Sequence, residues 1–332
     1  MKAIKFFAIS AMAAAMITSC SSEDELSQSN YPSDNIIRVT AGVNNAKTRA
    51  EGAGTEMKND FSLTIVNRNT ESSELAAKYT YKDKVFSKKS GDWTCSETLL
   101  WQKATIPVDI VAFAPAQEGK FNGVCDNDRN IQSIAYSVAD DQSTSSDNND
   151  LLYYYAKDFK PGEGLKDKKL SIQFNHAFCM IDIVVTLGTE FNKPSIPTTS
   201  PIVKVTLGGT KIAANVNVTN AASVVTASET ADATTITTTN GTFTTAANAE
   251  ANAISRFSCI AIPQTVAANT FKVSLMTAGK LYEWTSANPV ELKSGYRYTL
   301  ELSMGNDVVL LKGDNITASP WTEGTGGSLE TD

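Results

Sequence analysis

"IIRVTAGVNNAKTRAEGAG", residues 36–54, is the stretch on which the fold turns. Ile37, Val39, Ala41 and Val43 fall on one side of an extended chain, the period-two pattern of a strand with one buried face. The residues after Val43 are small and polar and carry Lys47 and Arg49. A strand suited to a core is thus joined to the rest of the chain by a segment that a protease can cut.

The same grammar recurs downstream. FSLTIVN (61–67), AKYTYKDKVF (77–86), IPVDIVAFAP (106–115), NIQSIAYSV (130–138) and KKLSIQFN (168–175) are short β-branched or aromatic runs divided by polar turns. In the third, Ile106, Val108, Ile110 and Ala112 share a face. No helical period longer than about three turns competes with them. Strands at this spacing predict antiparallel sandwiches. FCMIDIVVTL (178–187) is a nearly unbroken apolar strand, and the Pro/Ser/Thr-rich GTEFNKPSIPTTSP after it predicts a domain boundary. The chain then divides into residues 50–187 and 188–332. TTITTTNGTFTT (234–245) predicts an exposed hairpin turning at Asn240-Gly241. Near the C-terminus, GYRYTLELSMG (295–305) alternates Tyr296, Tyr298, Leu300 and Leu302. VVLL (308–311) and NITASPW (315–321) follow, and Pro320 confines the last to an edge or an added strand.

The N-terminus carries an address. Lys2 and Lys5 precede an apolar run, Phe6 to Ile17, too short to span a bilayer, and Ile17-Thr18-Ser19-Cys20 has the form of a bacterial lipobox. That assigns residues 1–19 to a signal peptide cut between Ser19 and Cys20, with Cys20 acylated. Glu23-Asp24-Glu25 is similar to the surface-export signal of some Gram-negative lipoproteins.

Function classes fall away in turn. A net charge of −7 with no basic stripe excludes nucleic acid. The single histidine, His176, has no GxSxG elbow to serve, and a local hydrogen bond at a strand end is its expected role. DNDRN (126–130) begins like a calcium loop. Ile131 then stands where the sixth position needs Gly, and Ser137 where the twelfth needs Glu, so no metal is expected there. Cys95, Cys125, Cys179 and Cys259 contain no CxxC pair, and their pairing cannot be read from spacing. No catalytic residue and no cofactor is expected.

A lipobox Cys, a strand ending in TRA, DLLYY (150–154), LSIQFNHAF (170–178), GYRYTLEL and a closing NITASPW together resemble the fimbrillin family, the Mfa-like pilins of type V pili. The resemblance runs from Cys20 to about Trp321. It implies an all-β chain of two tandem transthyretin-like antiparallel β-sandwich domains without enzymatic activity. It also implies a structural subunit, stalk or tip, exported to the outer membrane as a lipid-anchored precursor and contributing to adhesion from a cell-surface fimbrium. In the polymerising members an arginine-specific protease cuts after an Arg beyond the first strand. Here that is Arg49, with Ala50 as the new N-terminus, so residues 20–49 form a propeptide.

Removal of Ile37, Val39, Ala41 and Val43 would vacate a groove. Three well-buried aliphatic residues contribute on the order of 5 to 9 kcal/mol, comparable with the stability of a domain. By resemblance the next subunit fills that groove with its C-terminal segment, here Val308, Leu310, Ile316, Ala318 and Trp321. Such a head-to-tail contact builds an open filament. The partners implied are other pilus subunits and the protease. Lys47 is a competing cut site, and Arg38 lies within the strand. The alternative is a lipoprotein that stays tethered through Cys20 as an anchor subunit or as a binding module for a glycan or host protein, with Tyr153 to Tyr155 and Trp93 stacking on sugar.

Overall fold

The computed structural model describes residues 30–44, 55–57, 59–117, 134–144, 150–218, 224–239, 241–312 and 316–321. Among them the chain is almost entirely β. Its first strands are β1 (Val39–Val43), β2 (Thr55–Glu56), β3 (Phe61–Asn67), β4 (Tyr81–Lys89), β5 (Asp92–Cys95) and β6 (Val108–Ala114). Next come β7 (Ile134–Ser137), β8 (Leu152–Phe159), β9 (Leu170–His176), β10 (Cys179–Leu187), β11 (Ile202–Thr210) and β12 (Ala213–Val216). Then follow β13 (Val225–Ala227), β14 (Thr234–Thr238), β15 (Gly241–Thr244), β16 (Ile254–Ala261), β17 (Gln264–Val266) and β18 (Lys272–Thr277). The last are β19 (Leu281–Thr285), β20 (Val290–Leu292), β21 (Tyr296–Met304), β22 (Val309–Leu311) and β23 (Thr317–Pro320).

An eight-stranded sheet in the order β2, β1, β9, β8, β6, β3, β4, β5 builds the first part. The second part holds a six-stranded sheet (β15, β16, β10, β21, with β22 and β23 both on the far edge of β21), a four-stranded sheet (β14, β11, β18, β19) and two small ones. Most pairings are antiparallel, as expected, and two are parallel, β1 with β9 and β10 with β21. Parallel neighbours need long crossovers, and both pairs join strands more than a hundred residues apart in the chain.

The apolar side chains collect in two clusters. One contains Ile37, Val39, Phe61, Trp101, Ile110 and Phe174; the other contains Phe178, Ile183, Leu207, Phe271 and Leu300. β6 serves both, which is why all seven of its residues are buried. Val108, Ile110, Ala112 and Ala114 face the first cluster, while Val111 and Phe113 face the second. Asp109 on the second face is fully buried and satisfied by Arg68 Nε at 2.8 Å, Arg68 Nη2 at 2.6 Å and the Asp158 amide at 2.9 Å.

Three expectations are corrected by the pairing. The division expected at 187/188 moves, because β10 hydrogen-bonds to β16 and β21, and its Cys179, Ile181, Ile183, Val185 and Leu187, with Ala177 and Phe178 before it, enter the second cluster. β7, earlier in the chain, joins the second part as well: it pairs with β12, and Gln142 beyond it bonds both the amide and the carbonyl of Ile260. Residues 234–245 do not form a hairpin. β14 pairs with β11 and β15 with β16, and Ile236 is fully buried, so one apolar residue among threonines suffices to draw that strand into a core. Finally, Ala77 and Lys78 are helical: α1 (Ser73–Lys78) begins where the Ser72 hydroxyl caps the Leu75 amide, and strand resumes at Tyr81.

Candidate assembly site

β1 is held from several directions. Asn35 starts it with a left-handed φ of 57°, a conformation Asn tolerates, and Asp34 Oδ1 accepts from the Ile36 amide at 3.1 Å. The two carboxylate oxygens of Asp34 also receive the Arg38 guanidinium at 3.0 and 2.6 Å, which holds the Asp34 carboxyl down at about 2. The Ile37 amide donates to Leu99 O and the Trp101 amide to Asn35 O. Along its length β1 runs parallel to β9, from Val39 beside Leu170 to Val43 beside Phe174. The Arg38 carbonyl and the Asn44 amide extend that ladder at both ends. β2 covers only Gly42 and Val43 on the other side.

Ile37, Val39 and Val43 retain 5 to 6% of their exposure and enter the first cluster; Ala41 is half-buried. Removing β1 together with Ile37 before it therefore opens two things at once, the apolar sites of three side chains and the hydrogen-bonding edge of Leu170–Phe174. The described chain stops at Asn44 and resumes at Thr55. Ser19, Cys20, Lys47, Arg49 and Ala50 lie outside the described residues.

The C-terminal candidates are split between two faces. On β22 it is Val309 that is buried at 6%, and Leu311 packs beside it, whereas Val308 and Leu310 are 50% and 59% exposed. On the last segment Ile316 packs inward and Ala318 is exposed. Trp321 is buried at 6%, its amide donating to Gly295 O at 2.7 Å. In this subunit the segment thus lies along its own β21.

Trp321 stacks on His176, ring centroids 3.7 Å apart and planes 11° from parallel. His176 Nδ1 lies 2.5 Å from Asp150 Oδ2, within hydrogen-bond distance. The local partner expected of His176 is therefore replaced by one 26 residues away. The Ser294 hydroxyl donates to the Ala177 carbonyl at 2.7 Å, tying the same junction to the turn before β21. A cleft of about 370 Å³ opens there, lined by Asn44, Tyr153, Asn175, His176, Ser294, Gly295 and Trp321. No sequence signal pointed to this convergence, since it brings five distant segments together.

The aromatic residues of the alternative reading serve cores. Trp93 lies edge-on to Phe61 at 4.9 Å, Tyr153 and Tyr155 pack on the second cluster, and Tyr154 packs on the first. Cys179 and Cys259 are buried thiols, and burial pushes Cys259 up to about 12 and Cys179 well above its ordinary value. Among the described residues no three His, Cys, Asp or Glu side chains gather as a metal site, and no helix is long and apolar enough to cross a membrane.

The model of the fimbrillin-like family matches residues 48–321. The chain belongs to that family. The fimbrillin-like fold is seen again in solved structures. A candidate cell adhesion protein from Bacteroides ovatus superposes with a TM-score of 0.62 at 17% identity, over 87% of this chain and 98% of that one. A second, from Bacteroides uniformis, gives 0.56 at 15% identity, over 87% and 100%. A fimbrial protein from Bacteroides vulgatus gives 0.54 at 15% identity, over 86% and 99%. No curated protein matches this fimbrillin-like chain.

Proposed function

We propose that this fimbrillin-like protein is a pilus-type adhesion subunit, structural rather than catalytic, that assembles by exchanging strands. In this reading it is exported as a lipoprotein acylated at Cys20 and held at the outer membrane. An arginine-specific protease then cuts between Arg49 and Ala50. β1 leaves, and the C-terminal segment of a neighbouring stalk or tip subunit takes its place beside β9. Family membership and the likeness to fimbrial and cell adhesion proteins support the coarse reading. The observation that carries the finer one is the seating of β1. It is a first strand whose Val39 and Val43, with Ile37 just before it, are buried; it pairs in parallel along β9 and is followed directly by the residues that contain Arg49.

The test is the N-terminal sequence and intact mass of the protein recovered from its native cell surface. A chain that begins at Ala50 and migrates as a ladder of oligomers when unboiled is the expected result. A lipid-modified monomer beginning at Cys20, with residues 36–43 still attached, would establish the tethered reading instead.

A further inference from the structure

We infer that the docking of β1 and the docking of the C-terminal segment are coupled through Asn175 and His176, so that each holds the other in place. The Asn44 amide donates to Phe174 O at 2.8 Å, and the Asn44 side-chain amide donates to Asn175 Oδ1 at 2.7 Å. These two bonds pin the end of β9 from the side of β1. The next residue, His176, is oriented by Asp150 and supports the indole of Trp321. The chain's first strand and its last described residue, far apart in sequence, are thus separated by two consecutive residues of β9. Asn44, Asn175, His176 and Trp321 all line the same cleft.

The physical consequence follows from what the end of β9 can do once Asn44 departs. Asn175 is exposed, so with Asn44 gone nothing in that pair fixes its side chain. His176 then keeps Asp150 and its pairing with Leu152 of β8, but the β1 side of its strand end is released, and a stack at 3.7 Å tolerates little tilt. β23 is solvent-exposed along all four of its residues, so the segment is anchored from its two ends, by Ile316 and by Trp321. Coupling of this kind is reciprocal: whatever factor β1 contributes to the docking of Trp321, Trp321 contributes to the docking of β1.

For assembly, which rests on the proposed strand exchange, an uncut subunit keeps its C-terminal segment at home. A subunit that has lost β1 offers an empty groove and a loosened donor together.

Amide hydrogen exchange on the full, uncut chain tests the coupling independently of polymerisation. Asn44→Ala is expected to speed exchange of the Trp321 amide about three- to tenfold, the loss of one hydrogen bond transmitted across the cleft. Trp321→Ala is expected to speed exchange of the Asn44 amide by a similar factor. Amides of Ile183 and Leu300 in the second cluster report global opening and should not change. Asn175→Ala should abolish the cross-effect of either substitution.

A Trp321 amide that exchanges at its original rate in Asn44→Ala would overturn the inference, as would acceleration shared by Ile183 and Leu300. Cutting the wild-type chain with an arginine-specific protease then tests strand exchange by itself. Failure to form oligomers there removes the assembly role while the exchange data still decide the coupling.

Discussion

Ile37→Ala is the substitution that probes the separability of β1 most directly. Ile37 is 6% exposed in the first cluster, and the change removes three carbons from a side chain whose backbone amide is bonded to Leu99 O. At about 0.8 kcal/mol per buried carbon the transfer loss is roughly 2.4 kcal/mol, and the cavity left behind places the whole within about 2 to 5 kcal/mol. After cleavage at Arg49 the fragment ending there is held only by non-covalent contacts. If the loss appears in its dissociation rate, about 2.4 kcal/mol corresponds to roughly fiftyfold faster release. The assay is to cut the purified chain with an arginine-specific protease and follow release of the fragment by size exclusion and mass spectrometry, beside Thr40→Ala as an exposed control. Release accelerated in Ile37→Ala and unchanged in Thr40→Ala is the expected result. Equal rates for all three proteins, with a lowered melting temperature in Ile37→Ala, would refute the reasoning, because β1 would then leave only when the first core unfolds.

Other consequences are as concrete. The Asp34 carboxyl should titrate near 2 by NMR and return towards its ordinary 3.8 in Arg38→Ala. Because the folded value is depressed, the contribution of the pair is present above about 3.8 and lost as pH falls through about 2. Cys179 and Cys259 should resist alkylation at pH 8 in the native protein while the half-exposed Cys95 reacts, and all three should react in denaturant; peptide mapping reads the difference. Arg68→Ala strands the fully buried Asp109 carboxylate and should cost about 3 to 5 kcal/mol in chemical denaturation. A loss under about 1 kcal/mol would mean that water reaches Asp109.

Local patterning carried much of the architecture. FSLTIVN became β3 with the bounds read from its residues, Ile37, Val39 and Val43 are buried as their alternation required, and the Tyr298, Leu300 and Leu302 face of β21 lies in a core. The edge position expected from Pro320 also holds, since β23 pairs with β21 alone. Where the reading failed, a second surface was involved. IPVDIVAF reads as a strand with one apolar face, yet β6 is buried on both, because its other face meets the second cluster. TTITTTNGTFTT reads as a hairpin, yet its two strands belong to different sheets.

The candidate site divides in the same way. The first strand was legible, because burial of one face writes a period of two into the residues of that strand themselves. The face that the last strands present within their own subunit is a matter of pairing: Val309 turns inward, while Val308 and Leu310 turn out. Register on an edge is set by the partner strand, and a shift of one residue exchanges the faces. The meeting of Asn44, Asn175, His176 and Trp321 left no trace in any one segment. By itself the sequence determined that this is an almost entirely β chain whose first strand buries one face, since those properties follow from short-range pattern. Only the tertiary structure decided which strands are neighbours, where the two cores divide, and that the first strand and the last tryptophan share one cleft. Those depend on contacts between residues far apart in the chain, and no local pattern encodes them.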